Sequence, residues 1–347
     1  MKEKMKKKKV VVIGGGFAGS YCARRLERDF EVTLVDSEDY FEFIPGVPRT
    51  IVEPEHLGAI QRLHIDYLLY ARVVRGGVTN VSEKEVMVGK ERYAYDYLIV
   101  CSGSHYEAPF KEREVVSDLR GRHLRSIHDQ VIAAKKVLVI GGGLVGVEIA
   151  AELAGHFKDK EITVVHAHGR LMERLPERAS KLAYSYLSGK GVRIILNERV
   201  EKNKGGYYWL SSHTSLTADL VFLCVGITPN YSFLKGFDSV LDEHHHLKVT
   251  DFLQVHGYPR LFSAGDITSL HVEKTAQNAQ KQAAVVVHNI YALERGGKMK
   301  AYVSRKTPIV LSLGKYNGLF IYKDFVFGGI VPGFMKWAIE KKEMWKK

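Results

Sequence analysis

The residues best placed for chemistry are two runs of glycine. Gly14, Gly16 and Gly19 follow the β-branched run Val10 to Ile13 and open a helical stretch through about Arg28, after which Glu31 to Val35 returns as a strand ending at Asp36. In a G-x-G-x-x-G turn the first glycine allows the tight bend, the second lets the backbone approach a pyrophosphate, and the third lets the helix pack against the sheet. Phe17 and Ala18 belong to the same turn. Asp36 supplies a carboxylate that accepts from the hydroxyls of an unphosphorylated adenosine ribose. Gly141, Gly143 and Gly146 repeat the pattern between the strand Val137 to Ile140 and a helix to about Phe157, followed by the strand Glu161 to Val165. There the strand ends in His166-Ala167-His168-Gly169-Arg170 rather than in an acid. Loss of the carboxylate removes repulsion against a 2′-phosphate, and His166, His168 and Arg170 offer it partners, so NADPH stands beside NADH as the expected co-substrate. Bystander surface histidines are the alternative.

Other elements position these turns. Val73 to Val88 is patterned as a short antiparallel meander, and Tyr97 to Cys101 reads as a buried strand ending in Ser102-Gly103. Asp219 to Gly226 closes the second unit in the same way, and Leu261 to Gly265-Asp266 precedes a helix from about Thr275 to Glu294. Taken alone, Gly265-Asp266 is equally an ordinary turn. The order implies an α/β fold of two Rossmann-like dinucleotide-binding domains, the second inserted in the first. Residues 8–112 and 232–298 form the first domain, 113–231 the second, and 299–347 a small C-terminal α+β unit with strands around Ile309 to Leu313 and Leu319 to Val326 and a helix from Pro332.

With 347 residues, 46% hydrophobic and 26% charged, the chain suits a globular protein of two domains and an appendage. No 18 apolar residues run together and the sequence opens MKEKMKKKK, so neither a spanning helix nor a signal peptide is expected, which predicts a cytoplasmic protein. The formal charge of +12 is concentrated in lysines near the two ends, suited to solvent or an anionic membrane surface rather than to nucleic acid. Cys22, Cys101 and Cys224 are scattered, without CxxC or CxxxxC spacing, and read as reduced core residues. No metal is expected.

Two such domains ahead of Gly265-Asp266 resemble the flavoprotein reductases with two dinucleotide-binding domains, over nearly the whole chain. The resemblance implies FAD in the first domain, with Asp266 set against the ribitol, and NADH or NADPH in the second. Arg49, Val81, Ser102 and Gly103 then join the flavin's surroundings and Gly226 those of the nicotinamide. The missing cysteine pairs set aside glutathione-reductase-like and thioredoxin-reductase-like chemistry. More closely, Tyr40 to Phe43, Arg49 to Pro54 (RTIVEP), Gly146 to Glu152, Ala279 to Ala283, Leu311 to Gly314 and Val331 to Lys336 resemble the ferroptosis-suppressor branch of the apoptosis-inducing-factor-like oxidoreductases, with type II NADH:quinone dehydrogenases as near cousins. This implies an enzyme that passes a hydride from NAD(P)H to FAD and then two electrons to a quinone of ubiquinone type at a membrane surface. A reductase of a soluble electron-carrier protein, and a slow redox-sensing signalling protein, remain alternatives.

By the family pattern Glu148 points to the junction of nicotinamide and flavin, and Lys336 lies near flavin and acceptor. Their plain readings are a solvent-facing helix glutamate and a solvated lysine. Thr275-Ala276-Gln277 resembles the start of the AQxxxQ helix of the quinone dehydrogenases, which makes Gln277 and Lys281 the expected quinone contacts, although Lys281 departs from the pattern by standing in place of its second glutamine, with Gln282 one later. On a helical wheel Phe334, Ala338 and Trp345 share a face flanked by Met335, Trp337, Ile339 and Met344, while Lys336, Glu340, Glu343 and Lys347 lie opposite and Lys341 and Lys342 intrude on the apolar face. The wheel predicts peripheral contact with the cytoplasmic face of a membrane, or a helix docked on its own domain or on a partner in a homodimer. No myristoyl anchor is expected, since position two is not glycine.

Overall fold

The computed structural model describes residues 7–106 and 117–347, so the predicted boundary between 112 and 113 lies outside the described residues. Strand β1 (Lys9–Ile13) is β-branched and buried along almost its full length, as expected of a parallel strand covered on both faces. It pairs in parallel with β2 (Glu31–Asp36) on one side and β4 (Tyr97–Val100) on the other, with helix α1 (Phe17–Leu26) crossing between β1 and β2. Strand β3 (Arg72–Arg75) adds in parallel beyond β2.

The second sheet is wholly parallel, in the order β7 (Arg193–Leu196), β6 (Glu161–His166), β5 (Lys136–Ile140), β8 (Leu220–Leu223). Helix α2 (Leu144–His156) joins β5 to β6. It is apolar on nearly every side because it packs both on this sheet and on the C-terminal unit. After it, β10 (Tyr258–Ser263) returns to the first sheet and pairs with β4, Leu261 opposite Leu98, with β9 (Gln254–Val255) antiparallel at the edge. The second sheet therefore interrupts the first, the predicted insertion.

The two units share a register. Lys9 to Ile13 pair with Glu31 to Val35, and Lys136 to Ile140 pair with Glu161 to Val165, so Asp36 and His166 each stand one residue beyond the last pair. Helix α3 (Ala276–Arg295) packs on α1; the Thr275 hydroxyl accepts from the Asn278 N–H at its start and Gly296 closes it in the left-handed region. Strands β11 (Ile309–Leu313), β12 (Asn317–Tyr322) and β13 (Phe325–Gly329) form an antiparallel sheet against helix α4 (Ile330–Trp345).

Two expectations need correction. The meander runs from Val78 to Ala94, because Val73 and Val74 belong to β3 and the Gly76-Gly77 break separates them from it. The predicted strand Leu319 to Val326 is split by a turn at Lys323, whose φ is +52°.

Candidate functional site

The two glycine turns have the same stereochemistry. Gly14 sits at φ +92° and a Cβ there would lie 2.3 Å from the Cys101 carbonyl oxygen; a Cβ on Gly19 would lie 1.7 Å from the Gly14 oxygen. Gly141 and Gly146 repeat this against Cys224 and Gly141 at 2.3 and 1.9 Å. The middle glycines differ. Gly16 has φ −65° and Gly143 φ −74°, which any residue adopts, and a Cβ on either would meet no protein atom within 4 Å. The fold itself does not demand glycine there, whereas a pyrophosphate resting on the backbone does. Gly16 and Gly143 also cap their helices without a side-chain hydrogen bond or an acid in the first turn, leaving the N–H groups for phosphate oxygens. Both turns fit a dinucleotide.

At the strand ends the units diverge. Asp36 Oδ2 accepts the Gly15 N–H at 2.8 Å and faces His64 Nε2 at 3.0 Å, while His64 Nδ1 meets the Tyr67 hydroxyl at 2.6 Å. Asp36 lines the large cavity, as a ribose-binding carboxylate must. In the second unit the Gly142 N–H donates to His166 Nδ1 at 3.0 Å, and His166 Nε2 lies 3.0 Å from Glu173 Oε2. Arg170 donates to the Glu173 carbonyl and, at 2.8 Å, to the Leu175 carbonyl, so its guanidinium braces its own loop.

A cavity of about 950 Å³ runs from the first glycine turn to the C-terminal unit, lined by Ser102, Gly103, Asp266, Gln277, Glu148 and Lys336 among others. The Ser104 hydroxyl donates to Asp266 Oδ2 at 2.7 Å, and Gln282 Oε1 accepts the Gly265 N–H at 2.7 Å. Gln282 thus holds the Gly265 turn from within the core. Phe17 and Ala18 line the cavity too, with Phe17 edge-on to Phe41 at 5.1 Å. Lys274, also on this wall, is driven below the usual lysine range by burial.

Glu148 is not a solvent-facing helix residue: it is 6% exposed, and its Oε1 accepts from the Ser312 N–H at 3.0 Å, the Ser312 hydroxyl at 2.9 Å and Lys336 Nζ at 2.9 Å. Lys336 is correspondingly drawn inward. Helix α4 is amphipathic in the opposite sense to an ordinary surface helix. Its polar side faces the protein, with Glu340 on His56 at 3.1 Å and Glu343 accepting from Gln280 at 2.7 Å, while Ile330, Val331, Phe334, Trp337 and Trp345 are exposed. The polar face is the buried one because it meets polar groups on the first domain and Glu148 on α2, and of the predicted apolar side Met344 and Ile339 turn inward with it while Phe334, Trp337 and Trp345 stay exposed.

Several predicted positions lie elsewhere. Lys281 is exposed, donates to the Thr307 hydroxyl at 2.8 Å and lines a separate cavity of about 490 Å³, one turn beyond Gln277. Arg49 forks onto Glu152 at 2.7 and 3.2 Å and donates to the Gly314 carbonyl at 3.1 Å, tying α2 to the C-terminal unit. Val81 is packed in the core, and Gly226, at φ +129°, stands beside the cavity-lining Ile227. Sequence reading missed His64, Ser104, Ser312 and Glu173; their contacts join distant or loop residues and leave no periodic signal. Burial pushes the Cys22 thiol up and the Cys224 thiol up to about 12, the reverse of an activated thiolate, and all three cysteines are free. Among the described residues no cluster could hold a metal ion.

Comparison with known proteins agrees with this geometry. Apoptosis-inducing factor homolog A of Dictyostelium discoideum is 31% identical, covering 95% of this chain and 89% of that protein. Ferroptosis suppressor protein 1 of Homo sapiens is 30% identical over 94% and 92%. Among solved structures, NDH2 from Plasmodium falciparum in complex with NADH superposes with a TM-score of 0.84 at 14% identity, covering 98% of this chain and 96% of that one. The sulfide:quinone oxidoreductase of Aquifex aeolicus gives 0.82 at 20% identity, covering 98% and 91%. A family model described as pyridine nucleotide-disulphide oxidoreductase matches residues 8–283, and the chain belongs to that family.

Proposed function

We propose that the chain is an NAD(P)H:quinone oxidoreductase that works without a redox-active disulfide at a membrane surface. The observation that carries this reading is the Glu148–Lys336 pair in a cavity that joins the flavin cradle to a helix with an exposed aromatic face. FAD supplies two-electron chemistry, accepting a hydride from the nicotinamide and passing the electrons on. Residues 8–112 with 232–298 hold it, 113–231 hold the nicotinamide cofactor, and 299–347 carry the acceptor site.

Each residue has a physical task. The α1 and α2 N-termini bind the two pyrophosphates, Asp36 accepts from the flavin's adenosine ribose, and Ser104 orients Asp266 beside the ribitol. Reduction of a quinone builds negative charge on its oxygens, and Lys336 is a cation on the cavity wall that stabilises that charge. Glu148, in turn, fixes the Lys336 ammonium. Gln277 is the acceptor-side contact that the cavity supports.

No described helix is long and apolar enough to cross a membrane. Contact is instead peripheral, through Ile330, Phe334 and Trp337, with Lys341 on the same side to reach anionic headgroups; the cytoplasmic face suits these lysines. The resemblance to proteins named ferroptosis suppressor and to a sulfide:quinone oxidoreductase fold supports the reading. Co-sedimentation with liposomes, together with NADH oxidation dependent on a short-chain ubiquinone, tests it; failure of both would leave a soluble electron-carrier protein as acceptor.

A further inference from the structure

The last residue of β6 is where such domains carry the acid that reads the adenosine ribose, and here it is His166. Its geometry sets its protonation. The Gly142 N–H can only donate, so His166 Nδ1 must carry a lone pair; the proton of the neutral ring is then on Nε2, which donates to Glu173 Oε2 at 3.0 Å. Both ring nitrogens are used. The ring is 7% exposed and offers neither charge nor a free donor to a phosphate.

Of the two other candidates for a 2′-phosphate, Arg170 is spent on the carbonyls of Glu173 and Leu175, and His168 lies beside the Glu173 carboxylate. What the loop presents is the Glu173 carboxylate, with its side chain 32% exposed, beside His168 Nε2 at 3.9 Å. In the first unit the order is glycine N–H to carboxylate, from Gly15 to Asp36; in the second it is glycine N–H to imidazole to carboxylate, from Gly142 through His166 to Glu173. The acid is displaced by one ring rather than lost. Burial raises the Glu173 carboxyl, but a hydrogen bond from its own backbone N–H and that from His166 outweigh it and hold it below the usual glutamate range, so it is ionised at neutral pH.

We infer that Glu173 is the residue that selects the nicotinamide cofactor: it accepts from the 2′-hydroxyl of the adenosine ribose and repels a 2′-phosphate, so that the chain takes NADH in preference to NADPH. His166 is its positioning residue. The inference rests on the second domain holding the nicotinamide dinucleotide and is independent of the final electron acceptor.

The test is steady-state oxidation of NADH and NADPH by the flavin-loaded protein with ferricyanide as acceptor, in the parent and in Glu173→Gln and Glu173→Lys, with 5′-AMP and 2′,5′-ADP as competitive inhibitors. The parent should favour NADH in kcat/KM by about tenfold or more. Glu173→Gln should lower that ratio about tenfold and tighten 2′,5′-ADP relative to 5′-AMP, and Glu173→Lys should lower it further. A merely structural Glu173 would reduce both kcat/KM values together and leave the ratio where it was. Equal use of both cofactors by the parent, or an unmoved ratio in both variants, would overturn the inference. Discrimination that persists with ferricyanide while quinone is not reduced would overturn the acceptor reading and leave this one standing.

Discussion

Lys336 Nζ lies 2.9 Å from Glu148 Oε1, across 188 residues of sequence, with side chains only 14% and 7% exposed. The pair joins the helix that follows the second glycine turn to the terminal helix at the wall of the flavin cavity. Glu148 also accepts twice from Ser312, so its carboxylate keeps two hydrogen bonds even without the lysine.

Replacing Lys336 with methionine should therefore leave FAD bound and its reduction by nicotinamide in stopped-flow experiments nearly intact, while quinone-dependent turnover falls about tenfold or more. Breaking a buried ion pair costs about 3–5 kcal/mol when the remaining charge is orphaned, and Ser312 should hold this loss near the lower end, measured by thermal or urea unfolding. Unchanged turnover with quinone would remove Lys336 from the chemistry.

The empty space before Gly16 and Gly143 makes the two cofactor sites separable. Gly16→Val should yield a colourless protein, and Gly143→Val a yellow one that nicotinamide reduces slowly, because a side chain fills the pyrophosphate's place without clashing with the protein. Absorbance near the flavin maxima and stopped-flow reduction check both. Parent-like reduction of Gly143→Val would mean that the nicotinamide binds elsewhere.

These glycines, Asp36 and the interrupted order of the sheets were legible in the sequence because spacing and strand periodicity encode them. The direction in which α4 faces was not. A helical wheel assigns faces but cannot know that Glu340 and Glu343 find His56 and Gln280 while Phe334 stays exposed against Trp337 of its own helix. Nor can spacing show that His166 hands the role of an acid to Glu173, since the loop between them has no period.

A second consequence concerns His64, which supports Asp36 from a fully buried position through its link to Tyr67. His64→Leu removes that support and takes one partner from the Tyr67 hydroxyl, so FAD should dissociate about tenfold more readily, as followed by fluorescence of released flavin. Retention equal to the parent's would show that the Gly15 N–H alone suffices.

The exposed face of α4 gives a prediction independent of chemistry. Phe334→Glu with Trp337→Glu should abolish co-sedimentation with anionic liposomes and raise the apparent KM for a long-tailed quinone, while activity with a short-chain quinone changes little. Membrane binding that survives both changes would place the contact elsewhere.

The central claim is tested most directly by following NADH oxidation by the purified, flavin-containing protein with a short-chain ubiquinone while quantifying the quinol formed. One quinol per NADH, with turnover that rises with quinone and then saturates, is the predicted result. Reduction of the flavin by NADH followed by no electron transfer to quinone, while a ferredoxin or rubredoxin is reduced rapidly, would contradict the account.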